Sequence, residues 1–192
     1  FSLQSMLHSN QHNQMHRREF LLKSAASLLA IGAPGISFAQ SFWDYPRSLW
    51  LKRPATGEEA RVVYWANGSY QVDGYRNVCH LLRDVRANQT VAMDPVLLDI
   101  LRGIQGWFEM AGIQRPIVLN SGYRSPTTNN AIEGASRSSQ HLSGKAADIW
   151  IPDVPSDYLA KLAAHLRGGG VGIYPSKGFI HVDSGRLRSW RG

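Results

Sequence analysis

The chain has 192 residues, with 21 Lys and Arg against 14 Asp and Glu, and a single cysteine. That length buries one ordinary core without covalent staples, and 18% charged residues with six tryptophans exclude wholesale disorder. One cysteine excludes an intramolecular disulfide framework and any zinc site built from four thiolates.

Residues 1–16 are mostly polar. His16-Arg17-Arg18-Glu19-Phe20-Leu21-Leu22-Lys23 follows, and then Ser24 to Ala39 carries no charge and is interrupted by Pro34-Gly35. A bilayer-spanning helix needs about 20 apolar residues, so this stretch is short and mild for an anchor. Basic, apolar and then small residues before Gln40 is the order of a signal peptide. The paired arginines resemble a twin-arginine export signal, an address read by a receptor. The alternative is an amphipathic first helix, which Pro34-Gly35 would break. Met15 is a plausible start, which makes residues 1–14 an upstream extension. The expected division is therefore 1–39 as extension and leader, and 40–192 as the exported domain, with no stable membrane span. Losing residues 1–39 removes Arg17, Arg18, Lys23 and Glu19, so +7 becomes +5, from 18 basic and 13 acidic residues.

Arg61–Trp65 reads as a strand, and Asn67-Gly68 beyond it as a turn. Tyr75, Val78, Leu82 and Val85 recur at helical spacing, predicting a helix over 75–88. Asp94-Pro95 is an N-cap with proline in the first turn, and the helix it opens closes at Gly112. Pro116–Leu119 is a short strand, and Ser125-Pro126 starts a brief helix through Ile132. Strands follow at Ala146–Ile151, Val171–Tyr174 and Phe179–Asp183, with a helix over Ser156–Arg167 ended by Gly168-Gly169-Gly170. Helices first and a mostly antiparallel sheet after them make an α+β single domain.

Ser139-Gln140-His141-Leu142-Ser143-Gly144-Lys145-Ala146-Ala147-Asp148 carries the chemistry. Strand periodicity puts Asp148 on one face with Ala146 and Trp150, and Ala147, Ile149 and Ile151 on the other. A carboxylate in so apolar a strand is unfavourable unless it is paired or bound to a cation. In Phe179-Ile180-His181-Val182-Asp183 the same alternation puts His181 and Asp183 on one face. Two adjacent strands would bring Asp148, His181 and Asp183 together, with His141 arriving from a loop. Two imidazoles, one carboxylate and a water form a recognised catalytic zinc composition. For each residue alone, a hydrogen-bonded structural role is the alternative.

Gly168-Gly169-Gly170-Val171-Gly172 follows a helix and enters a strand, the reverse of a phosphate-cradling loop, and reads as a helix stop with close backbone approach. His80 and His165 lack partners at ligand spacing, and Cys79 reads as buried packing. Trp150, Tyr174 and Trp190 line a groove or pack in the core.

Ser-x-His-x-x-Gly-x-Ala-x-Asp, from Ser139 to Asp148, resembles the first metal motif of the zinc D,D-carboxypeptidases and related endopeptidases, which share a fold with Hedgehog signalling domains. The segments Ser121-Gly122-Tyr123-Arg124-Ser125, Asn129-Asn130, Gly169–Pro175 and Phe179–Asp183, with Trp190, are most similar to the murein endopeptidase K branch. The resemblance runs from about residue 48 to the C-terminus. It implies one zinc ion per chain held by His141, Asp148 and His181, polarising an amide carbonyl and activating water. It also implies Arg124 as the electrophilic partner of the oxyanion, with a surface turn arginine as the alternative. Many relatives place a carboxylate three residues before the last histidine, but Gly178 stands there. Asp183 is the expected general base, or else the partner that orients a ligand imidazole.

The expected function is a periplasmic metallopeptidase that cuts peptidoglycan peptide cross-bridges, at bonds between diaminopimelate residues. A D,D-carboxypeptidase and a non-catalytic binding module with a structural zinc are the alternatives. The expected partners are peptidoglycan peptides and, during export, the twin-arginine machinery. Dispersed basic residues without a recognition motif argue against nucleic acid.

Overall fold

The computed structural model describes residues 42–192; the expected leader, residues 1–39, lies outside the described residues. Two strands, β1 (Arg47–Arg53) and β2 (Glu58–Ala66), form an antiparallel hairpin, and β3 (Ser69–Tyr70) extends its edge. The next strand, β4 (Ile117–Ser121), runs parallel to β1 and antiparallel to β5 (Ala146–Trp150). From there the sheet continues through the late strands β6 (Gly170–Tyr174), β7 (Phe179–Asp183) and β8 (Arg188–Arg191). The spatial order is β3-β2-β1-β4-β5-β7-β6-β8, with only the β1–β4 and β6–β8 pairs parallel.

The longer helices cover one face of this sheet. Helix α1 (Val72–Leu81) packs on β1 and β2, and α2 (Pro95–Met110) on β1 and β7; a short α3 (Pro126–Asn130) follows β4, and α4 (Ser156–His165) packs on β6 and β7. Asp94 caps α2 by accepting from the Val96 N–H at 2.9 Å, as its sequence predicts. The helix buries Leu97, Leu101, Ile104 and Phe108 against Leu49, Leu51, Ile180 and Val182 in one continuous core. Each such leucine contributes about 1.5–3 kcal/mol. Alternation then leaves the opposite side chains of β5 and β7 facing away from the helices. That is where the site forms.

The α+β class holds, but the chain order does not read as helices first. A strand hairpin precedes every helix named here, and β1 was not visible in the sequence. Its inward positions include Arg47 and Arg53, which break the apolar alternation. Both are buried because they find partners: Arg47 donates to Asp99 at 3.1 and 3.2 Å, and Arg53 to the Leu81 carbonyl at 3.0 Å. Tyr64 also donates to Asp99, at 2.9 Å. The helix expected over 75–88 instead spans Val72–Leu81. Asp84 draws the chain into a turn by accepting from the Arg86 and Ala87 N–H groups, and Asn88 takes a positive φ of 48°. The edge strand β8, rich in arginine, also went unpredicted.

Candidate metal centre

Register builds the site. Asp148 of β5 stands opposite His181 of β7, and Ala146 opposite Asp183. Residues directly opposite in an antiparallel pair share a face. His141 comes from a 3-10 turn, Gln140–Ser143, closed by Gly144 at a φ of 65°. The backbone N–H of Arg124 donates to the His141 carbonyl at 3.1 Å, tying this turn to the loop after β4.

The three side chains converge. His141 Nε2 lies 3.2 Å from Asp148 Oδ1 and 3.1 Å from His181 Nδ1, and His181 Nδ1 lies 3.0 Å from Asp148 Oδ1. The far nitrogen of each ring is already used. His141 Nδ1 is 2.6 Å from the Gly122 carbonyl, which only accepts, so Nδ1 carries the hydrogen and Nε2 presents a lone pair to the centre. His181 Nε2 donates to Asp183 Oδ2 at 2.9 Å, which leaves Nδ1 for the centre.

Three electron-pair donors thus face one another in a buried place, an unfavourable arrangement without a positive charge between them. Burial lowers the His141 pKa below its ordinary value despite Asp148. Burial also opposes charge on His181, but hydrogen bonds to Asp148 and Asp183 outweigh it and raise that pKa. Asp148 is held well below the usual carboxylate range, its burial outweighed by both imidazoles and Arg124. Donors about 2.0–2.1 Å from a tetrahedral zinc sit about 3.3 Å apart, close to the separations in this triangle. The donor set and its spacing fit a small divalent cation.

The centre opens into a cavity of about 750 Å³ whose lining includes Arg124, Lys177, Arg186 and Arg188. One wall is aromatic. Gly172 stands opposite His181 in β7 and Trp190 in β8, and a Cβ there would fall 2.4 Å from the Trp190 ring. With no side chain in the way, Trp190 leans to 5.2 Å from the His181 ring and donates to the Tyr174 hydroxyl at 3.0 Å. Tyr174 in turn stacks on Phe179 at 4.8 Å.

Residues 43–190 match the family described as peptidoglycan L,D-endopeptidase MepK. The chain belongs to the MepK family. It is 35% identical over 179 residues to the peptidoglycan L,D-endopeptidase MepK of Escherichia coli strain K12, covering 91% of this chain and 97% of the relative. A probable MepK of Haemophilus influenzae is 34% identical over 181 residues, covering 92% and 96%. Among the described residues of this MepK-family chain, no helix is long and apolar enough to cross a membrane.

Within the MepK-family fold, the structure brings His141, Asp148 and His181 together. Arg124 joins them at the rim: its Nε donates to Ser121 Oγ at 2.8 Å, and its Nη2 bonds Asp148 Oδ2. Asp183 stands behind His181, fully buried, away from the cavity. It accepts from Gly170 and Gly185 N–H groups at 3.2 and 2.8 Å, and from both Arg188 terminal nitrogens at 3.0 and 2.6 Å. The glycine run makes the close approach expected of it, since a Cβ on Gly169 would fall 1.8 Å from the Asp183 carbonyl oxygen. Tyr174 and Trp190 line the cavity, whereas Trp150 donates to Asn120 outside it. His80 is hydrogen-bonded to Glu58 at 3.1 Å and joins no metal-capable group among the described residues, and Cys79 is buried.

The sequence did not reveal Gly122, Arg188 or Asp84. A backbone carbonyl has no sequence signature, and Arg188 lies in an unpredicted strand. Asp84 acts at a distance: its Oδ2 accepts from the Ser125 N–H at 2.8 Å, holding the loop that carries Arg124. Burial alone would raise its pKa, but hydrogen bonds from Thr128, Ser125 and Ala87 outweigh that and bring it to about 2. A depressed folded pKa gives stability that is present above the unfolded value, about 3.9, and lost as pH falls through about 2. Asp84→Asn is therefore expected to unfold more easily at pH 7 by on the order of 2 kcal/mol. Its stability should also change less between pH 4 and pH 2 than that of the unsubstituted protein. Urea melts across that range check both.

Proposed function

We propose that this protein is a zinc-dependent peptidoglycan L,D-endopeptidase acting in the periplasm on cross-bridges between diaminopimelate residues. The observation that carries the reading is the triangle of inward donors, His141 Nε2, His181 Nδ1 and Asp148 Oδ1, with both rings locked from behind. Zinc held there supplies Lewis acidity for the scissile carbonyl and lowers the pKa of water. The reaction adds water across the amide, hydroxyl to the carbonyl carbon and proton to the departing amine.

The protein's own groups prepare that step. Arg124 has two of its five N–H donors committed, to Ser121 and Asp148, and lines the cavity with the rest available. It therefore both steadies the ligand carboxylate and offers a donor to the developing oxyanion. Asp183, expected as general base, is better placed as the orienter of His181. It is fully buried, its acceptor positions are filled, and it faces the nitrogen turned away from the centre. Outside the ligand triangle, Glu133 is the carboxylate that lines the cavity among the described residues, which makes it the candidate proton acceptor.

A binding module with a structural metal is the second reading. Three protein donors with the fourth side open to a large cavity favour the enzyme. The wild-type protein should convert a purified L,D-crosslinked muropeptide dimer into its two monomers and leave a D,D-crosslinked dimer intact. Cleavage of neither dimer would remove the enzymatic reading. In the same assay Asp183→Asn should lose about 10- to 100-fold in zinc affinity or activity, the range typical of partners that orient a ligand histidine. Full zinc affinity with abolished turnover would return Asp183 to the role of base.

A further inference from the structure

We propose that Arg186 is the specificity residue that binds the substrate carboxylate next to the scissile nitrogen. This rests on the L,D-endopeptidase reading. In an amide between two diaminopimelate residues, the carbon bearing the scissile nitrogen also bears a free carboxylate. Any site that cuts this bond meets that charge within a few ångströms of the reacting carbonyl, and a desolvated carboxylate needs a cation.

Four cationic side chains line the cavity: Arg124, Lys177, Arg186 and Arg188. Three are engaged. Arg124 is bonded to Ser121 and Asp148. Arg188 is committed to the buried Asp183 through both terminal nitrogens, with its guanidinium 4.9 Å from the Trp190 ring centroid. Lys177 lies over the Tyr174 ring at 5.7 Å. Arg186 is exposed, and its guanidinium has no hydrogen-bond or ion-pair partner among the described residues.

Its backbone is nevertheless fixed. The Arg186 carbonyl accepts from Arg188 Nη1 at 3.1 Å, and the neighbouring Gly185 N–H donates to Asp183 Oδ1 at 2.8 Å. The turn between β7 and β8 is thus pinned to the carboxylate that orients His181. A free guanidinium carried on a fixed turn at the cavity rim is available to a ligand carboxylate, which it grips in a two-bond fork. Lysine in its place would keep the charge and lose the fork.

The test uses two L,D-crosslinked dimers, one with the free carboxylate beside the scissile nitrogen and one with that group converted to a carboxamide. Each is assayed with wild-type protein, Arg186→Ala and Arg186→Lys, with zinc content and melting temperature recorded. Wild type should lose about 10- to 100-fold in kcat/KM on amidation, through KM. Arg186→Ala should show that loss on the free carboxylate and no further loss on the amide, with zinc content unchanged; Arg186→Lys should fall between. If Arg186→Ala discriminates the two dimers as wild type does, the assignment is overturned and the endopeptidase reading stands. If wild type cleaves neither dimer, the endopeptidase reading fails and this assignment with it. Arg186→Gln serves as a second neutral variant should the alanine protein melt early.

Discussion

His141→Ala, Asp148→Ala and His181→Ala should each leave a folded protein with no bound zinc and turnover reduced by at least about 10³-fold. The size follows from the several kcal/mol a catalytic metal supplies, at about 1.4 kcal/mol per factor of ten. Folding should survive because the ligand side chains face away from the helices, and their removal relieves three electron-pair donors that crowd one another within 3.2 Å. Asp148→Ala carries an added cost, since it deprives Arg124 of its carboxylate partner. Metal analysis beside a cleavage assay separates loss of the ion from loss of chemistry. A ligand variant with a full complement of zinc and undiminished turnover would dissolve the assignment of that residue.

The largest expected effect on stability lies far from the site. Asp99→Ala strands the Arg47 guanidinium in the core, where its Nη1 sits 3.1 Å from the Asp99 carboxylate and the Tyr64 hydroxyl also leans on it. Removing one partner of a buried pair typically costs about 3–5 kcal/mol, because the surviving charge has neither water nor a counter-ion. In a domain of this size that lowers the melting temperature by roughly 10 °C. The pair itself need not be stabilising overall. Replacing both residues together, as Arg47→Met with Asp99→Leu, should recover much of the loss, since apolar groups of similar volume need no partner. Thermal melts of the single and double variants decide. Equal destabilisation in both would mean that packing, rather than the stranded charge, carries the effect.

How much of this was legible in the sequence differs between the two ends of the domain. In the C-terminal half the period-two alternation of Ala146–Ile151 and Phe179–Asp183 places Asp148 and His181 on one face, and the register delivers them side by side. The Ser139–Asp148 motif likewise points to His141. Of the N-terminal hairpin, Arg61–Trp65 was legible, but β1 was hidden because it has arginines at inward positions, which the distant Asp99 and the Leu81 carbonyl help to satisfy. Long-range satisfaction of this kind leaves no local trace. The same reason explains Asp183: sequence spacing puts it on the face of His181, but not whether it stands before the ring or behind it. Its partners, two backbone N–H groups and Arg188, come from a glycine-rich turn and an edge strand that only the folded sheet assembles.

Fragment analysis of peptidoglycan sacculi by mass spectrometry, with and without a chelator, tests the central claim most directly. Crosslinked sacculi incubated with the purified protein should release muropeptides whose masses report hydrolysis of L,D-crosslinks. A chelator should abolish that release, and added zinc should restore it in wild type but not in the His141→Ala protein. Release that continues unchanged in chelator, or an absence of new fragments from the zinc-loaded protein, would contradict the account.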